Sequence, residues 1–213
     1  MGKFLIENKE YFLSDLYEFL DNRPKIVLSK EIIEKINASR KTLDNSLTKN
    51  KIVYGVNTGF GKLSQVKIPN EKISELQKNL ILSHAVGVGQ FVSDEITILI
   101  MLLKIISLSK GFSGIRLVVV NRLVEMLNNN FLPLIPKQGS VGASGDLAPL
   151  SHMTLPILGL GEVKFNGKII DSNRALKKLG WDPIKLSYKE GLALINGTQF
   201  STAYGVLCMK RIK

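Results

Sequence analysis

The stretch SDEITILIMLLKIISLSKG, residues 93–111, constrains this chain more than any other. Its apolar positions fall on nearly every side of a helical wheel, so a helix here has no face to offer water and must be surrounded by other elements. Ser93 stands as an N-cap, Asp94 and Glu95 follow at the positive pole, and Gly111 marks the exit. Lys104 interrupts the run and leaves it shorter than the roughly 18 to 20 residues a membrane span requires. The segment is expected to be a buried bundle helix, and the rest of the chain to supply its cover.

That cover is written mainly in helical periods. SKEIIEKINASRKTLDNSL opens with Ser29 as N-cap and repeats Ile32, Ile36, Leu43 and Leu47 on one face. PNEKISELQKNLILSHAVG starts after Pro69, aligns Ile73, Leu76, Leu80 and His84, and stops at Gly87. SGIRLVVVNRLVEML predicts a further helix after Ser113, and SNRALKKLG a short one with Ser172 as cap and Gly180 as stop. Ser187 and Glu190 have capping-box spacing before GLALINGTQFSTAYGV. One stretch reads as strands: EVKFNGKIID alternates around Asn166-Gly167, a favoured two-residue hairpin turn. The fold class expected is mainly α with one small β-hairpin.

Composition narrows the function classes. With 213 residues, 45% hydrophobic and 22% charged, the chain can bury one sizeable core, and no repeat or linker divides residues 1–213. A single cysteine, Cys208, excludes an internal disulfide and suits a reducing compartment. Two histidines, His84 and His152, make no zinc site without several carboxylates beside them, so no metal is expected. MGKFLIENKEYFL has no secretory apolar core, and Ile6 stands where a myristoylation signal needs Ser or Thr; the cytoplasm is the expected address. The net charge of +11 is scattered along the chain, without a basic block or interleaved stacking aromatics, which argues against a nucleic-acid partner.

Chemistry is expected in the glycine-bearing loops. YGVNTGFG, residues 54–61, reads as a phosphate cradle or as a lid presenting Tyr54, but it lacks the ending of a P-loop. Tyr54 reads equally as a half-buried aromatic with a satisfied hydroxyl. In GSVGASGDLAPLSH, residues 139–152, small side chains leave the backbone around Ala143-Ser144-Gly145 free to fold onto itself. Attack of the Gly145 nitrogen on the Ala143 carbonyl would close a five-membered ring, and dehydration of Ser144 would leave an exocyclic methylidene, an electrophile made from the chain. The alternative is a small-residue loop that caps the following helix.

Five motifs, YGVNTGFG, NLILSHAVGVG, SLSKGFSGIR, GSVGASGDLAPLSHM and EGLALINGTQFSTAY, resemble the aromatic amino acid lyases, and their histidine-specific members in particular, in the same order and at similar intervals. The likeness runs from about residue 40 almost to the C-terminus. It implies the N-terminal part of the ammonia-lyase (fumarase/aspartase-like) helical fold, with the central bundle largely missing. It also implies that Ala143, Ser144 and Gly145 are precursors of 4-methylidene-imidazol-5-one (MIO), formed autocatalytically. The reaction implied is non-oxidative deamination of L-histidine to trans-urocanate and ammonia, a step of histidine catabolism. The β-proton removed there is barely acidic and the amine leaves poorly, so the reaction needs an electron sink and a base.

The resemblance assigns the base to Tyr54, whose phenol would have to titrate below its usual value of about 10. Substrate contacts fall to His84, Ser83 and Asn196. Histidine-specific members carry Ser-His where phenylalanine enzymes tend to carry Phe-Leu and tyrosine enzymes His-Leu, and an imidazole can hydrogen-bond the substrate's own ring. From the residues alone His84 reads also as a satisfied core histidine, Asn196 as a turn former before Gly197, and His152 as structural. The family's chains are more than twice this length. Their second half supplies a glutamine, a second tyrosine, an arginine for the substrate carboxylate, a phenylalanine and a glutamate. The implied partners are a homotetramer or a complementing C-terminal chain. The alternatives are a non-catalytic helical remnant or interaction module, or another MIO enzyme such as a tyrosine ammonia-lyase or an aminomutase.

Overall fold

The computed structural model describes residues 2–48, 53–59, 68–142 and 144–212. The expected buried helix is there as α4 (Asp94–Ser109), with the Ser93 hydroxyl accepting from the Ile96 amide at 3.4 Å and Gly111 leaving the helix at φ +77°. Seven consecutive residues, Ile96 to Leu102, are buried, so the helix is covered on all sides. Each of its fully buried aliphatic side chains contributes about 1.5–3 kcal/mol relative to exposure.

The cover comes from α1 (Leu13–Asn22), α2 (Lys30–Thr48), α5 (Leu117–Asn128) and α9 (Gln199–Ile212), of which α9 and α5 pack on α4 most extensively. On α2 the Ser29 hydroxyl accepts from the Ile32 amide, and Ile32 and Ile36 are the fully buried members of its stripe. A second group, α3 (Ile73–His84), α6 (Leu147–Thr154) and α8 (Glu190–Ile195), packs mutually beside this core. The remaining helix, α7 (Ser172–Lys178), lies against the hairpin.

The predicted hairpin is β6 (Glu162–Phe165) and β7 (Lys168–Asp171), turning through Asn166 and Gly167 at φ +50° and +74°. Both central residues sit in the left-handed region, as a type I′ turn requires. Strand pairing goes further than periodicity suggested. β1 (Lys3–Ile6) pairs in parallel with β2 (Lys25–Leu28), β3 (Val88–Phe91) pairs with β5 (Pro136–Gln138), and β4 (Leu132–Pro133) adds an edge to β6. These strands are two to four residues long, too short for an alternating pattern to register.

Several helix ends differ from expectation. α3 ends at His84 with Ala85 as its C-cap, three residues before the stop expected at Gly87. α5 begins at Leu117 because Arg116 is held extended by Glu190, which accepts from its backbone N–H at 3.0 Å. The cap of α7 is Asp171, whose carboxylate accepts from the Arg174 amide, and Ser172 is the first helical residue. GLALINGTQFSTAYGV divides into α8 and α9 at residues 196–198. Among the described residues no helix is long and apolar enough to cross a membrane.

Candidate active site

The C-terminal end of α3 and the loop that leads into α6 converge on one cavity of about 330 Å³. Its lining includes Ser83 and His84 from the end of α3 and Ser144 and Gly145 from the loop before α6. Val86, Gly139, Val141, Leu147 and Ala148 complete the wall. The two sequence motifs that carry Ser-His and Ser-Gly thus face a common space. Ala143 lies outside the described residues.

His84 is presented in a defined tautomer. Its Nδ1 lies 2.8 Å from the Leu80 carbonyl, which can only accept, so Nδ1 carries the proton and Nε2 is the acceptor of the neutral ring. The Ser83 hydroxyl donates to the same carbonyl at 3.0 Å and lies 3.1 Å from His84 Nδ1. The half-buried ring is therefore a polar group offered to the cavity, at the end of a helix whose buried face holds Ile73, Leu80 and Ile81 together with Gln77.

Around Ser144-Gly145 the backbone is held tightly. Asp146 is 1% exposed, and its carboxylate accepts from the Ser140 hydroxyl at 2.7 Å, the Ser201 hydroxyl at 2.8 Å and the Ser201 amide at 2.8 Å. The last of these bonds satisfies an orphan donor in the first turn of α9. The Asp146 amide donates to the Gly197 carbonyl at 2.7 Å. Gly145 has φ +139°, and a Cβ there would meet the Gly197 oxygen at 2.7 Å, so only glycine allows this approach. Ser144 itself is exposed.

Asn196 reaches the site through its neighbour rather than through the cavity wall. It ends α8 with an exposed side chain, and its carbonyl accepts from Lys104 Nζ at 2.9 Å. Tyr54 is 60% exposed in the turn of residues 53–59 and is not part of the cavity lining. His152 on α6 accepts from the Gly87 amide at 3.0 Å, and burial lowers its pKa, which favours the neutral acceptor. It ties the chain after His84 to α6, and a Cβ on Gly87 would press on the ring at 3.1 Å. Among the described residues no group of three or more His, Cys, Asp or Glu comes together to hold a metal ion.

Besides Asp146, two buried ionisable residues escaped sequence reasoning. Glu190, fully buried, accepts from Arg116 Nε and Nη2 at 2.7 Å each and from the Ser187 amide at 2.6 Å. The capping box expected from Ser187 and Glu190 does not form as such: α8 begins at Glu190 with Lys189 in the cap position, and the Ser187 hydroxyl accepts from Arg40 Nη2. The other is Lys104, whose only sequence signal was a break in an apolar run.

The aromatic amino acid lyase family profile matches residues 12–213. A histidine ammonia-lyase of Idiomarina loihiensis is 46% identical over all of this chain, which spans 42% of that protein's length. The solved structure of histidine ammonia-lyase from Trypanosoma cruzi superposes with a TM-score of 0.89 at 38% identity, over 98% of this chain and 40% of that one. Pantoea agglomerans phenylalanine aminomutase superposes at 0.92 with 34% identity, over 100% of this chain and 40% of that one. The mostly helical architecture is thus that of the N-terminal portion of the ammonia-lyase fold. With the profile matched along nearly its whole length, the chain belongs to the aromatic amino acid lyase family.

Proposed function

We propose that this chain carries the electrophile-forming and side-chain-recognising part of a histidine ammonia-lyase, which deaminates L-histidine to trans-urocanate and ammonia. The observation that carries it is the shared cavity, in which the Ser83-His84 pair faces Ser144-Gly145. The residues fit the prosthetic group the family implies. Gly145 holds a positive φ against the Gly197 carbonyl, Ser144 is open to the cavity, and Asp146 anchors the loop with three accepted hydrogen bonds. When formed from 143–145, MIO supplies an electrophile that draws electron density from the substrate amine.

The chain's own residues supply the rest. His84 Nε2, left as acceptor by the Nδ1 bond to Leu80, receives the N–H of the substrate imidazole. A leucine at this position would leave that buried donor unpaired, at a cost of about 1–3 kcal/mol. Ser83 holds the ring in place from one side. The role of base falls by resemblance to Tyr54, which lies outside this cavity's wall, and Asn196 contributes a polar contact beside the loop. The N-terminus of α6 follows Asp146 directly, and its positive end favours negative charge developing at the loop.

The likeness to a phenylalanine aminomutase supports a second reading, in which ammonia is returned to the β-carbon. Incubation with L-histidine, with and without the C-terminal portion of a histidine ammonia-lyase supplied in trans, separates the two. Urocanate absorbance in the mixture is the expected result. A β-amino acid in its place identifies the mutase, and deamination of tyrosine without histidine overturns the assignment of His84.

A further inference from the structure

Lys104 sits at 1% exposure in the middle of α4, on a helix that otherwise buries aliphatic side chains. Its Nζ donates to the Asn196 carbonyl at 2.9 Å and to the Ala193 carbonyl at 3.4 Å. These carbonyls belong to the last turn of α8, where the helix has no further N–H to satisfy them. At six residues α8 is far too short to persist on its own. Glu190 pins its first residue, and Gln77 Oε1 on α3 accepts from the Gly191 amide at 2.8 Å. Lys104 is the pin that acts at the end bearing Asn196. One peptide further on, the Gly197 carbonyl accepts from the Asp146 amide and touches Gly145.

We propose that Lys104 is a positioning residue of the candidate site: by holding the Asn196 carbonyl it fixes the turn at 196–197 against Gly145 and Asp146, and with it the backbone that closes the ring. The inference rests on the reading of 143–145 given above. Burial lowers the Lys104 pKa to about 7, opposed by the charge of Asp146, the charged side chain acting on it among the described residues. The nitrogen remains a donor in either state, so the grip does not depend on its charge.

The test compares the full chain as wild type, Lys104→Met, which keeps the length and loses the donors, Lys104→Arg, which keeps donors, and Val120→Ala, a core loss on α5. Intact mass reads the fraction that has lost two waters, and hydrogen exchange reads protection of the Asp146 amide. Lys104→Met is expected to lower that protection by about tenfold and to reduce the cyclised fraction severalfold. Lys104→Arg retains most of both, and Val120→Ala retains both. Wild-type protection and mass in Lys104→Met, or equal losses in Val120→Ala, overturn the proposal. Should Lys104→Met not fold, the carbonyl carbon of Asn196 is followed by NMR in the wild type. It is expected to shift with the Lys104 titration near pH 7, and a silent carbonyl overturns the proposal. A wild-type chain of unmodified mass counts against the reading of 143–145, whereas the Asp146 amide judges Lys104 by itself.

Discussion

α4 and α8 meet through the Lys104 side chain and are held by different means. α4 is sixteen residues long and stands on packing, with Leu99, Ile100, Met101, Leu102 and Ile105 all fully buried. α8 has six residues, of which Leu194 and Ile195 enter the core, and it is held in addition by buried polar pins, Glu190 at its start, Gln77 against its first turn and Lys104 at its end. Dispersion and hydrophobic burial are tolerant of direction, whereas a hydrogen-bonded charge fixes atoms to within tenths of an ångström. The difference teaches where exactness is needed: the long helix makes the core, and the turn after the short one brings Gly197 against Gly145 and Asp146.

The contrast is sharpest at Glu190. Glu190→Ala strips the carboxylate partner from Arg116 and removes the longer contact to Arg40 Nη1 at 3.7 Å, leaving Arg40 its pair with Asp44, and is expected to cost about 3–5 kcal/mol in denaturant unfolding. Leu99→Ala, in the middle of α4, is expected to cost about 2–5 kcal/mol through the cavity it leaves. It should leave residues 144–146 in place, as judged by Asp146 amide protection. If Glu190→Ala is the milder change, the polar pins are not what holds α8.

Smaller effects come with pH. Because the Lys104 pKa falls to about 7 on folding, from an ordinary 10.5, the unfolded chain binds a proton across that window that the folded chain does not. Its contribution to stability therefore rises with pH from about 7 upward, and Lys104→Met should flatten the rise. His152 is also lowered on folding, so stability is lost as pH falls below its unfolded value of 6.5. His152→Gln, which keeps an acceptor without the titration, should remove that acid loss. The smallest effect is expected at Val141, which is 88% exposed at the cavity mouth, where Val141→Ser should change stability by less than about 0.5 kcal/mol.

Legibility followed the range of the interactions. The cap at Ser93, the exit at Gly111, the stripe ending in His84 and the turn at Asn166-Gly167 are local events, and each stood in the sequence. The parallel pair of β1 and β2 was missed because four residues with mixed exposure show no period. The pins of α8 were missed for another reason: Arg116 meets Glu190 across 74 positions and Lys104 meets Asn196 across 92. Such pairs exist only once the helices pack. At the site, Ser83, His84, Ser144 and Gly145 share one cavity, whereas Tyr54 is not in its wall and Asn196 enters through the backbone of its neighbour.

Intact mass of the folded chain, measured beside Ser144→Ala, tests most directly whether 143–145 makes an electrophile facing His84. Loss of two waters from the wild type and none of that modification in Ser144→Ala is the predicted result. A wild-type chain that keeps its full mass, with the tripeptide linear, would contradict it.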